Sequence, residues 1–169
     1  MVTVAMEIKK EKGAVVLRLE RPLAEWLSEV LEALARRYGA DPSALDPKTA
    51  EAWYWPRGLE SAGGGRPADR EEMLRQGAAL RGERADLIRA WIIALGGSHD
   101  PVELKIPDAQ ADIMVASLND HRLALAARHG WMDVPLEHDL EKITDGTKRV
   151  ALAEIHFLGA IVSGIIEAL

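Results

Sequence analysis

The chain reads as a mainly α protein of the α+β class, a helical bundle around an apolar C-terminal helix with a small N-terminal β-hairpin. Three observations predict this. Apolar residues recur at helical spacing through most of 22–169. Period-two alternation is confined to 2–19 and 102–106. The last stretch, from Thr147 to Leu169, is apolar on nearly every side. A length of 169 residues fits a single globular domain over 1–169, with the hairpin at 2–19 and the helical region at 22–169.

The elements follow in order. Val2, Val4, Met6 and Ile8 alternate with Thr3, Ala5, Glu7 and Lys9, as in a half-buried strand. Lys10 to Gly13 supplies a turn, and Val15, Leu17 and Leu19 form the apolar face of the return strand. A lone hairpin is marginal in water, so it needs a helix beneath it or a third strand. Val102 to Ile106 alternates in the same way and is the candidate third strand. Pro22 opens a helix with the stripe Leu23, Trp26, Leu27, Val30, Leu31 and Leu34, and Gly39 ends it. Asp41-Pro42 and Asp46-Pro47 are two successive cap-then-proline starts, predicting short helices near 42–45 and 47–55. Residues 57–67, with Gly63-Gly64-Gly65, read as a flexible surface loop. A long helical region over 68–95 uses Met73, Gly77, Leu80, Leu87, Ile88, Trp91, Ile92 and Leu95 as its apolar face, with a break expected near Gly82. Pro107 opens the next helix and Gly130 stops it. An acid-rich loop over 131–145 precedes the last helix.

That last helix raises the question of a membrane. Its uninterrupted apolar part runs only from Ile155 to Ile166 and contains His156, which is short of the ~20 residues a span requires. The expectation is therefore a central core helix and no membrane. Gly159 with Ser163 and Ala160 with Gly164 form two rows of small residues that let another element approach closely. Because the helix is apolar around most of its circumference, a homodimer is a second expectation.

Composition excludes several classes. The fractions of 48% apolar and 28% charged residues are those of an ordinary globular domain. A net charge of −6 with scattered cations argues against nucleic acid. Cysteine is absent, which removes disulfides, thiolate nucleophiles and cysteine-based metal sites. With no secretory pattern at the N-terminus, a cytoplasmic location is expected.

The sharpest chemical signal is Asn119-Asp120-His121-Arg122, four consecutive hydrogen-bonding residues inside an apolar helical pattern. Buried polar groups need partners, since each unpaired one costs about 1–3 kcal/mol. The run is therefore either a binding site, with Arg122 as the fork for an anion, or a structural network. In the structural case Arg122 pairs with an acid such as Glu154 or Glu25, and Asn119 caps neighbouring backbone. Four histidines, His121, His129, His138 and His156, invite a metal reading, but no two share the spacing of ligands on one helix face, so no metal and no cofactor is expected. None of the serines stands in a Gly-x-Ser-x-Gly context. Trp53-Tyr54-Trp55 is the one aromatic cluster, read either as an anchor for a partner or as a lid over the core edge.

Four segments carry a resemblance: VVLRLERPLAEWL, EMLRQGAALRGERA, VELKIPDAQADIMVASLNDHRLALAARHG and FLGAIVSGIIEAL. Together they resemble a bacterial family of unknown function, DUF2017, over nearly the whole chain. The most specific match is Leu118-Asn119-Asp120 followed by Arg122 and Leu123. The resemblance implies an apolar or small residue at 121, where this chain has His121, and a longer acidic loop before the last helix. It implies a fold and assigns no catalytic residue. It also implies a link to protein turnover, because family members are often encoded near an adaptor of ATP-dependent proteolysis.

The functional expectation is a non-enzymatic interaction or regulatory module with a protein partner. The alternative is a small-molecule-binding protein or enzyme with a polar site at Asn119 to Arg122. An enzyme should bring those side chains together in a cavity, whereas an interaction module should expose an apolar patch near Trp53 and Trp55.

Overall fold

The computed structural model describes residues 5–54, 67–97, 99–131 and 145–169, with side chains of the second stretch described from residue 71. Val2, Val4, Trp55, His138, the loop over 57–66 and most of the acidic loop lie outside the described residues.

The hairpin forms as its alternation requires. Strand β1 (Met6–Glu11) pairs antiparallel with β2 (Ala14–Leu19), and the register Glu11↔Ala14 leaves a turn of Lys12 and Gly13 alone. That loop is tighter than the four-residue turn expected, and Gly13 takes φ +77, where a side chain would be strained. Strand β3 (Val102–Pro107) joins the other edge of β2, making a three-stranded antiparallel sheet in the order β1-β2-β3. The pairs Val15↔Ile106, Leu17↔Leu104 and Leu19↔Val102 put six buried apolar side chains on one face. Val16 points the other way yet is also buried. Its cross-strand neighbours are Lys9 and Lys105.

Helix α1 (Arg21–Gly39) starts one residue before the expected proline. Its preceding residue, Glu20, provides no side-chain cap; instead Asp100 Oδ1 accepts from the Arg21 backbone N–H at 3.0 Å, from 79 residues away. Leu27, Val30, Leu31 and Leu34 are buried as the stripe predicts. A single 3-10 turn over Pro42–Ala44 is capped by Asp41, and Asp46 accepts from the Thr49 N–H at the start of α2 (Pro47–Tyr54).

Helix α3 (Pro67–Leu95) is continuous, so the break expected at Gly82 does not occur. Only its second half delivers a buried stripe, Ala85, Ile88, Trp91 and Leu95, packed against α1. Met73 and Leu80, expected on the apolar face, are 40% and 47% exposed. Helix α4 (Asp108–Arg128) follows β3 directly. It closes with Gly130 at φ +72, Gly130 N–H to Ala127 O at 3.3 Å and Trp131 N–H to Ala126 O at 2.7 Å. This is a Schellman closure, and Trp131 adds the apolar contact such ends favour by packing on Leu125 and Ala126.

Helix α5 (Gly146–Ala168) has 23 residues and a mean hydropathy of 1.7 over its most apolar 18-residue window. By length and composition it would reach across a membrane, which corrects the count that used Ile155 to Ile166 alone. Its position accounts for the composition differently. Leu152, Ile155, Leu158, Ile161, Val162 and Ile165 are buried in contact with α4 and the sheet. Of the small residues only Gly164 meets the hairpin, with Ile8 of β1 lying over it, whereas Ala160 and Ser163 are exposed. β1 thus covers one side of α5, while Val150 and Ile166 on it stay exposed.

Candidate functional site

Consecutive residues on a helix point about 100° apart, so Asn119 and Arg122, three apart, are neighbours on one face while Asp120 and His121 point elsewhere. The structure fans them out. Asn119 is exposed, and its Oδ1 accepts from Arg122 Nη1 at 3.0 Å. Arg122 Nε donates to the Ile155 carbonyl at 3.2 Å, and its guanidinium lies against Gly159 of α5. Among the described residues the expected pairing of Arg122 with Glu154 or Glu25 does not form, and Asn119 caps no neighbouring backbone. A residue without a Cβ at 159 lets the guanidinium lie flat on the helix and reach a carbonyl instead.

His121 is only 4% exposed and takes the acid assigned to Arg122. Its Nε2 lies 3.0 Å from Glu154 Oε2, while Glu154 Oε1 accepts from Trp26 Nε1 at 2.7 Å. Trp26 in turn stacks on Phe157 with ring centroids 4.4 Å apart and planes 10° apart. Burial works against the Glu154 charge, but the donors His121 and Trp26 outweigh it and hold the carboxyl below its ordinary value. A carboxylate depressed by folding adds stability above its unfolded value of 4.5 and loses it as pH falls through the folded value. Glu154→Gln is therefore expected to flatten the fall of stability below pH 4.5 in acid titrations followed by circular dichroism. An unchanged acid limb would show that this carboxylate is not coupled to folding. Ser117 Oγ and His121 Nδ1, one turn apart on α4, are buried without hydrogen-bond partners among the described residues.

Asp120 points to the opposite side and enters a second arrangement. Its Oδ2 accepts from the Tyr38 hydroxyl at 2.6 Å and from Arg81 Nε at 3.1 Å, and its Oδ1 lies 3.4 Å from Arg81 Nη2. Trp53 Nε1 donates to the Asp120 carbonyl at 2.8 Å. Three rings surround the same guanidinium, whose carbon is 4.9 Å from the Tyr54 centroid, 5.3 Å from Trp53 and 6.0 Å from Tyr38. These are cation–π distances. Burial disfavours the Arg81 charge, yet Asp120 and the two phenols hold its pKa above the ordinary value. Burial, then the Asp120 charge, pushes the Tyr38 phenol well above its usual range.

Trp53 and Tyr54 are thus both buried, and Trp55, the third member of the cluster, lies outside the described residues. The sequence reading missed Arg81 and Tyr38. A signal was present, because Arg81 stands at i, i+4 and i, i+7 from the inward Ala85 and Ile88, a cation on a core-facing stripe.

His129 stacks on Trp131 at 4.8 Å, and His156 is exposed. Among the described residues, no three of His, Asp and Glu are grouped as metal ligands would be. A cleft of about 500 Å³ lies between α1 and α3, lined by Glu32, Ala35, Arg36, Arg89, Ile92 and Ile93. A smaller one of about 210 Å³ lies beside His99 and Val102. Neither is lined by any residue from Asn119 to Arg122.

No curated protein and no solved structure matches the chain. One family model does, that of the domain of unknown function DUF2017, and it spans residues 5–169. Its span takes in both the Glu154–His121 pair and the caged Arg81, so the chain belongs to the DUF2017 family.

Proposed function

We propose that this chain is a non-enzymatic interaction or regulatory module that binds a protein partner. The observation that supports it most is the outer side of α3. Met73 and Leu80 are seven residues apart, hence on one face, and both leave about half their surface in water on a helix that is sparsely packed at that end. The polar run of α4 points the same way, because each of Asp120, His121 and Arg122 is engaged with the protein itself. A small-molecule site or enzyme at Asn119 to Arg122 would need those side chains directed into one cavity. Family resemblance adds protein turnover as the field in which to seek the partner. Val150 and Ile166, exposed on α5, and the exposed Leu169 just beyond it support self-association as a further part of the proposal.

The double variant Met73→Glu/Leu80→Glu tests the reading. Both positions are exposed, so its unfolding free energy should stay within about 0.5 kcal/mol of the parent. Crosslinking in lysate should then lose the adducts that the parent forms. Retention of every adduct would remove the outer face of α3 as the contact.

A further inference from the structure

Arg81 is caged by side chains from three other helices, α1, α2 and α4. Two donors on one edge of the guanidinium meet the two oxygens of Asp120, while Tyr38, Trp53 and Tyr54 supply ring surfaces. This suits a planar guanidinium better than an ammonium, which cannot both bridge a carboxylate with a fork and stack on rings.

The helix that delivers Arg81 has its poorest helix formers close to it. Gly77 and Gly82 bracket it, and each glycine inside a helix costs roughly 1 kcal/mol relative to alanine. Gly77 has a packing reason, because a Cβ there would stand 3.0 Å from the Tyr54 ring. Gly82 has none: nothing lies within 4 Å of where its Cβ would be. The flanking halves also differ. Between Glu71 and Leu80 only Leu74, Gly77 and Ala78 are half-buried and the rest are exposed, whereas Ala85, Ile88, Trp91 and Leu95 are buried against the body.

We propose that Tyr38, Trp53, Tyr54 and Asp120 form a site for an arginine side chain of a protein partner, closed in the free protein by Arg81 and opened when α3 yields at Gly82. The proposal rests on the interaction-module reading and names the chemistry its partner must present. It also gives the Trp53-Tyr54 pair the anchoring role that its burial otherwise denies. The arm is the competitor, so the partner's apparent affinity is reduced by the fraction of molecules in which it is closed.

The test uses the full-length protein and two small probes, N-acetylarginine amide and N-acetylcitrulline amide, which share shape but differ in charge. Hydrogen exchange is followed by mass spectrometry. At tens of millimolar the arginine probe should accelerate exchange severalfold across 71–81 and leave 85–95 unchanged, and the citrulline probe should do neither. Gly82→Ala should slow exchange of the arm about fivefold and raise the arginine midpoint by about the same factor, since it makes the closed helix more stable. No acceleration, or equal acceleration by both probes, would overturn the site. An unchanged midpoint in Gly82→Ala would overturn the hinge. The Met73→Glu/Leu80→Glu variant should keep the arginine response, so loss of adducts and loss of the cage are read separately.

Discussion

Asp120→Asn is expected to lower the unfolding free energy by about 3 kcal/mol, because it strands a cation inside the protein. The Arg81 and Asp120 side chains are only 13% and 17% exposed, so solvent screens their attraction weakly. Asparagine keeps the shape and can still accept from Tyr38, but it leaves the Arg81 charge among three rings with no counter-charge. Urea denaturation of the single variant gives the cost. The double variant Asp120→Asn/Arg81→Met should cost less than the sum of its parts, since removing both charges removes the stranded one. A single-variant loss below about 1 kcal/mol, or strict additivity, would mean the pair contributes little to holding α3, α2 and α4 together.

Gly164→Val is expected to cost about 2 kcal/mol by overpacking α5 against β1. A Cβ at 164 would lie 2.5 Å from Ile8 Cδ1 and 3.3 Å from both Ile8 Cβ and Cγ1. The end of the Ile8 side chain could rotate away from one added carbon, but valine brings three and meets the Ile8 stem as well. Valine's better helix propensity than glycine offsets only a few tenths of a kcal/mol. Thermal melts should show the loss, and Ile8→Ala should restore part of it in the double variant. A Gly164→Val protein as stable as the parent would show that the hairpin does not rest on the helix at this position.

Much of the architecture was legible because it depends on short-range rules. Period-two alternation located the hairpin and its third strand. Proline and glycine punctuation located the starts of α1 and α2 and the Schellman end of α4. The stripe from Leu27 to Leu34 announced the buried face of α1. The same rules failed where a neighbour distant in sequence decides the outcome. Gly82 was read as a break, yet the tertiary contacts of the second half of α3 carry the helix through it. Met73 and Leu80 were placed on the apolar face, but they stay 40% and 47% exposed, and no element among the described residues covers that side of the first half.

The site divides along the same line. The amino-acid sequence by itself determined that Asn119, Asp120, His121 and Arg122 lie on one helix and need partners, since type and spacing are local properties. Helical spacing also makes Asn119 and Arg122 neighbours on one face, as their hydrogen bond shows. Only the tertiary structure decided the pairings: Asp120 with Arg81 and Tyr38, His121 with Glu154, Arg122 with the Ile155 carbonyl. Those partners stand between 33 and 82 residues away, so no periodicity encodes them. Which acid meets which base follows from how α1, α3 and α5 pack around α4, and that packing is set by buried apolar surface, which favours close contact without specifying its polar pairs.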